Sequence, residues 1–168
     1  VKITAKSYAL SAMTGGKNLI DTVGSVELNR SFANLYASGT NSTNTISNIK
    51  GAVKGTSDFY NLNAGDGGKN LIAKAGSVEF NSNHSVLNAV SAGSTNTISN
   101  VEGTVKGTGH NYSLCAQDGG KNLIDKAGSV EAIAGAVGLY ADGADSTNTI
   151  SNIKGAVKGT SDFYNLNA

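Results

Sequence analysis

Ser42-Thr43-Asn44-Thr45-Ile46-Ser47-Asn48-Ile49-Lys50-Gly51-Ala52-Val53-Lys54-Gly55-Thr56 is the stretch that decides how this chain folds. Its first seven residues return at 94–100 and 146–152, and all of 42–64 is repeated without change at 146–168. Working outward, Gly16-Lys17-Asn18-Leu19-Ile20 returns at 68–72 and 120–124. Both spacings are 52 residues with no insertion, so the chain is a tandem array. It divides into a partial unit, 1–12, and full units 13–64, 65–116 and 117–168, which we read as one array over 1–168.

The unit is itself double. Asn18, Asn44, Asn70, Asn96, Asn122 and Asn148 stand 26 residues apart throughout, and so do Ile20, Ile46, Ile72, Ile98, Ile124 and Ile150. A Leu-x-Ala element recurs once per half, with its leucine at Leu10, Leu35, Leu62, Leu87, Leu114, Leu139 and Leu166. Its spacing alternates between 25 and 27, so one residue moves between loops while each half keeps its length. A 26-residue period is short for a propeller blade, and the leucines do not follow the leucine-rich-repeat pattern. No i, i+3, i+4, i+7 apolar stripe supports a helical repeat. Short strands fit: Asn-x-Ile, then roughly 23–28, then 33–37, where the first and third residues of Leu-x-Ala share a face. The expected fold is all-β: a β-solenoid (parallel β-helix) of about six and a half 26-residue coils, with three short strands per coil. Coils stacked ~4.8 Å apart make a rod roughly 30 Å long.

Composition agrees with thin, repetitive coils. There are 22 glycines, six tyrosines and four phenylalanines, and neither proline nor tryptophan. The recurring Val, Ile and Leu and a net charge of only +1 separate the chain from disordered sequences. That charge gives no electrostatic case for nucleic acid. No apolar run approaches the ~20 residues of a membrane span. One cysteine, Cys115, leaves no internal disulfide. The chain opens Val-Lys-Ile-Thr, shows no signal peptide, and begins and ends inside a repeat. We expect a processed chain or a segment of a longer array.

The inward set predicted from the pattern is Ile20, Val23, Val26, Leu35 and Ala37 with their equivalents. One coil alone buries little, so stability comes from neighbours. Asn18 lies two residues before Ile20 and faces the same way, which predicts a buried asparagine ladder, each amide bonded to the next coil. The residue after the recurring valine reads Lys2, Glu27, Lys54, Glu79, Lys106, Glu131, Lys158. Stacked opposite charges attract and like charges repel. Each exposed pair is weak, but a slip by one coil sets like charge on like, which explains why the unit is 52 residues and not 26. Head-to-tail stacking of whole chains would set Lys158 against Lys2.

The run from Ser42 to Thr56 followed by Gly-Gly-Lys-Asn-Leu-Ile resembles the repeat arrays of large secreted bacterial β-solenoid proteins, the filamentous-haemagglutinin-type adhesins and related giant surface or fibre proteins. The resemblance covers the whole chain and implies an extracellular or cell-surface location, with adhesion or fibre formation. Alternating Lys and Glu with stacked Asn is also similar to amyloid-type solenoids that assemble end to end. The calcium-binding toxin repeat needs Gly-Gly-x-Gly-x-Asp every nine residues. Here Asp66-Gly67-Gly68 and Asp118-Gly119-Gly120 are isolated, and we expect no cofactor, calcium being the one considered.

Catalysis is not expected. A β-helix lyase or hydrolase needs clustered carboxylates, and Asp21 and Asp125 occupy equivalent slots four coils apart. His84 and His110 lack convergent ligands or nucleophiles and read as exposed loop residues. Paired threonines at Thr43/Thr45, Thr95/Thr97 and Thr147/Thr149 suggest an ice-binding face, but lysine and leucine interrupt it in alternate coils. Cys115, Tyr36 and Tyr140 sit between inward Leu and Ala and are expected to point outward. The equivalents Ser11, Asn63, Asn88 and Asn167 are not aromatic, so this position predicts no continuous stripe. The most divergent stretches are 28–33, 80–86 and 132–137, the place to look for a binding surface if the chain has one. The expected partners are flanking repeats or copies of the same chain, end to end or laterally, and a surface glycan or receptor. The function read from the sequence is a structural shaft, with a self-assembling filament subunit as the alternative and an ice- or carbohydrate-binding solenoid after it.

Overall fold

The computed structural model describes residues 1–4 and 6–167, with only the backbone described at Arg30, Leu166 and Asn167. All its regular elements are strands: β1 (Lys2–Thr4), β2 (Tyr8–Met13), β3 (Lys17–Asp21), β4 (Val26–Arg30), β5 (Ala33–Ser38), β6 (Thr43–Ser57), β7 (Tyr60–Gly65), β8 (Lys69–Ser82), β9 (Ser85–Val90), β10 (Thr95–Gly109), β11 (Tyr112–Gln117), β12 (Lys121–Ala134), β13 (Val137–Asp142), β14 (Thr147–Ser151), β15 (Val157–Ser161) and β16 (Tyr164–Asn167). Every pairing is parallel and joins a coil to the next, as in Asn44↔Asn70 and Leu35↔Leu62. One sheet runs β1-β4-β6-β8-β10-β12-β14, with β3 on β6 and β15 on β12, and the other runs β16-β13-β11-β9-β7-β5-β2. The molecule is a β-solenoid of about six turns with a 26-residue spacing.

Three short strands per coil were expected, but in the central coils the first two are one bent strand. β6, β8, β10 and β12 run through the first corner without leaving the sheet, shifting register once, as between Ile49 and Ala52. The bend is made by one left-handed residue per coil: Thr22, Asn48, Lys74, Asn100, Lys126 and Asn152, with φ from 53° to 55°. Asparagine tolerates this conformation best of the three residue types, because its short side chain bonds locally. Only the outer coils show two separate strands there: β3 with β4, and β14 with β15.

Inside the triangle lies one apolar column set. Ile46, Ile72, Ile98 and Ile124 of the first face are buried, as are Val26, Val53, Val78, Val105 and Val130 of the second and Leu35, Leu62, Leu87 and Leu114 of the third. Leu10, Ile20, Val23, Leu139 and Ile150, near the two ends, are partly buried against them. Leu166 stands in register with Leu139, while its side chain and Ala168 lie outside the described residues.

Two further alternations with a 52-residue period appear in the interior. The position two after the recurring valine is Leu28, Phe80 or Ala132 in glutamate coils and Gly55, Gly107 or Gly159 in lysine coils, the first lysine coil excepted, where Ile3 stands there. A Cβ on Gly55 would stand 2.5 Å from Asn61 Oδ1 and 2.7 Å from both Asn34 Nδ2 and the Phe80 ring, and one on Gly107 3.2 Å from Val86. Large groups thus fill the space their glycine neighbours leave, as close packing requires. At the third corner Gly16, Gly68 and Gly120 alternate with Ser42, Ser94 and Ser146. Each serine hydroxyl accepts a hydrogen bond from the backbone of Gly15, Gly67 or Gly119, at 2.9, 3.0 and 2.9 Å. A Cβ at Gly68 would collide with the Ala37 carbonyl. The lysine–glutamate alternation is therefore not the sole reason for the doubled unit.

The divergent stretches 28–33, 80–86 and 132–137 are not free loops. Leu28, Ala33, Phe80, Val86 and Ala132 are buried. Part of their divergence is therefore core packing, while Ser31, Asn81 and Asn83 in the same stretches are exposed.

Candidate functional site

The asparagine ladder is continuous. Each Nδ2 donates to the Oδ1 of the next coil: Asn18 to Asn44 at 2.8 Å, Asn44 to Asn70, Asn70 to Asn96 and Asn122 to Asn148 at 2.9 Å, and Asn96 to Asn122 at 3.0 Å. Its second hydrogen goes to a backbone carbonyl on the third face. The acceptors are Ser11, Tyr36, Asn63, Asn88, Cys115 and Tyr140, at 2.6–2.8 Å. These are the middle residues of Leu-x-Ala. Each ladder amide therefore ties first face to third face, and those from Asn18 to Asn122 also tie coil to coil.

A shorter polar set was not foreseen. Asn34, one before Leu35, donates to Asn61 Oδ1 at 2.6 Å, and Asn61 donates to the Asn81 carbonyl at 2.8 Å. Both are fully buried. The signal in the sequence was Asn-Leu-x-Ala at 34–37, repeated at 61–64. It breaks at Val86, Ser113 and Gly138, so no periodicity announced it.

On the second face the charge column resolves into pairs. Lys2 meets Glu27 at 3.0 Å, Lys54 meets Glu79 at 3.1 Å and Lys106 meets Glu131 at 3.1 Å. Each lysine bonds the glutamate 25 residues on, and Lys158 joins no ion pair among the described residues. The Lys2 ammonium, with Asn29, holds the Glu27 carboxyl below its ordinary range.

At the first corner Asp21 accepts from Ser47 Oγ at 2.6 Å, Asn48 Nδ2 at 2.7 Å and Thr22 Oγ1 at 3.0 Å. Asp125 accepts from Asn152 at 2.6 Å and Ser151 at 2.8 Å. Those hydrogen bonds, led by Ser47 for Asp21 and Asn152 for Asp125, depress both carboxyls. Four coils apart, each acid is committed to its own neighbouring coil.

The aromatic residues do form a stripe, contrary to the expectation from the Leu-x-Ala position. Tyr36 stacks on Tyr8 at 4.7 Å, Tyr8 meets Phe32 at 5.5 Å, and Phe32 meets Phe59 at 5.4 Å and Tyr60 at 5.6 Å. Tyr60 meets His84 at 5.3 Å, His84 meets Tyr112 at 6.0 Å, and Tyr112 stacks on Tyr140 at 5.0 Å. These rings come from three sequence positions per coil, so no single column reveals them. Ring-to-ring contact at these separations is favourable in offset and edge-on geometry. His84 is thus half-buried among rings, not a free loop histidine, and burial lowers its pKa.

Cys115 was expected to point outward as a free thiol. It is buried, with Asn88 and Tyr140 as its register neighbours. A small residue between large ones in a column is covered whichever face it occupies. Burial pushes its thiol up to about 12, which leaves little nucleophilic thiolate near neutral pH.

Among the described residues no three of His, Cys, Asp and Glu converge on a metal-sized site. What the arrangement offers is a continuous buried amide ladder, a paired charge column and a ring stripe. Compared with known proteins, the chain matches no family model, no curated protein and no solved structure.

Proposed function

We propose that this repeat scaffold serves as the shaft of an extracellular fibre or adhesin, with no catalytic role. The single observation that carries the proposal is the unbroken asparagine ladder, which runs in one direction through six coils and cross-links two faces in each. A stack held this way is stiff, polar along its axis, and extensible by adding coils. The two acids in equivalent slots, Asp21 and Asp125, are spent on coil-to-coil bonds. Secretion and surface exposure are the further part of the proposal, supported by the resemblance of the repeat to surface arrays.

Scattering from the purified chain should give a rod roughly 30 Å long whose dimensions are independent of concentration. Filaments growing with concentration would move the assignment to a self-assembling subunit. Antibody labelling of intact producing cells should detect the chain without lysis. Labelling that appears only after lysis overturns the extracellular role. In this reading the stack needs no cofactor, so a chelator should leave thermal unfolding unchanged. A fall in the midpoint would instead mean that a bound cation stabilises the stack.

A further inference from the structure

Lysine recurs on this solenoid in three settings, one of them the exposed outer row of Lys17, Lys69 and Lys121 on the first face. On the second face Lys2, Lys54 and Lys106 are each neutralised by a glutamate of the next coil. At the first corner Lys50, Lys74, Lys126 and Lys154 are exposed and take no part in the ion pairs among the described residues. All four line one open groove of about 590 Å³, over an apolar floor of Ile49, Ala75 and Val101. Glu102 is the one carboxylate in the lining. Asp125 lies beside Lys126 in sequence, with its oxygen occupied by Asn152 and Ser151. The whole chain has a net charge of +1, so this positive edge is a local feature that overall charge conceals.

We propose that this groove binds a linear acidic polysaccharide, carboxylate- or sulfate-bearing, laid along the solenoid axis. The lining lysines and Glu102 come one from each of five successive coils. A compact anion would meet one or two of them, whereas a chain with repeated anions meets them all. Nucleic acid fits less well. The groove lining contains no arginine for bidentate contacts and no ring to stack a base, and the aromatic stripe keeps to the second corner and third face. This goes beyond the shaft proposal and does not depend on where the protein resides.

The repeat supplies its own fold-compatible substitutions. Asn48, Asn100 and Asn152 occupy the left-handed position of Lys74 and Lys126, and Glu102 occupies the position of Lys50 and Lys154. Binding of polygalacturonate and dextran sulfate to the purified full chain would be measured at 50 and 200 mM salt, with dextran as the neutral control. For three to four displaced counterions, affinity should fall about tenfold or more over that range. Lys74→Asn with Lys126→Asn should weaken binding several-fold, Lys50→Glu with Lys154→Glu tenfold or more, and Glu102→Lys should tighten it. Circular dichroism and the melting midpoint check that each variant folds. Either lysine pair suffices for the test if the other fails to fold. The two polymers separate carboxylate from sulfate recognition. Folded variants that bind like the parent, dextran bound equally well, or single-stranded oligothymidylate bound as tightly as either acidic polymer would each overturn the proposal.

Discussion

The first and second faces solve the same problem in opposite ways. On the first face one residue type fills each interior position in every coil: asparagine, then isoleucine two residues later. Identical groups translated along the axis stack on themselves, and the asparagine amide bonds its own copy. On the second face the interior position after valine swings from Leu28 to Gly55 to Phe80 to Gly107 to Ala132. There the unit of packing is the pair of neighbouring coils. Uniformity gives a ladder that any coil can extend. From Gly55 onward compensation ties each glycine coil to the larger group beside it, whereas the first pair, Ile3 and Leu28, sets two large side chains in register.

The largest effect should come from breaking compensation. Phe80→Ala removes a fully buried ring and should cost about 3–5 kcal/mol in denaturant unfolding. Gly55→Ala, which presses on the buried Asn61 and Asn34 amides as well as on that ring, should destabilise by about 1–3 kcal/mol. Made together, the two should cost less than their sum, and strict additivity would sink the idea that these coils pack as a pair.

Next comes the uniform face. Asn96→Ala removes the bonds to Asn122 and to the Asn88 carbonyl and strands the amide of Asn70. A loss of about 2–4 kcal/mol is expected, since buried partners are left unsatisfied. A cost below about 1 kcal/mol would mean that the ladder marks register without holding the stack.

A smaller change of opposite sign tests the corner joining the two faces. Thr22 adopts φ of 55° where asparagine stands in three other coils. Thr22→Asn should stabilise by about 1 kcal/mol, seen as a raised unfolding midpoint. An unchanged midpoint would show that the corner carries no strain.

The smallest effect is in acid. Asp21, Asp125 and Glu27 are held below their ordinary values by neighbouring-coil donors. The unfolded chain therefore binds protons more readily. The stability they add is complete above the unfolded carboxyl range of about 4 and fades as pH falls through the lower folded values. His84, lowered by burial, acts in the same direction at higher pH: as pH drops below about 6.5 the unfolded chain takes up its proton first. Asp21→Asn and Asp125→Asn should flatten the acid limb of a midpoint-versus-pH series, and His84→Gln the shallower slope near pH 6. Unchanged curves would remove these groups from the account.

Sequence alone determined everything that repeats by translation. The spacing of Asn18 with Asn44 and of Leu35 with Leu62 set the coil length, the all-β class, the inward columns and the asparagine ladder, because a parallel stack places equal positions in contact. It also showed that charges alternate along one column. Only the tertiary structure decided what lies between columns. That is where the ring stripe assembles from three positions, where Cys115 is covered by neighbours, and where divergent residues 28 and 80 become core. There, too, the lysines divide into paired and unpaired edges. The physical reason is that period reads contacts along the axis, whereas contacts around the triangle depend on how each corner bends and how far each side chain reaches.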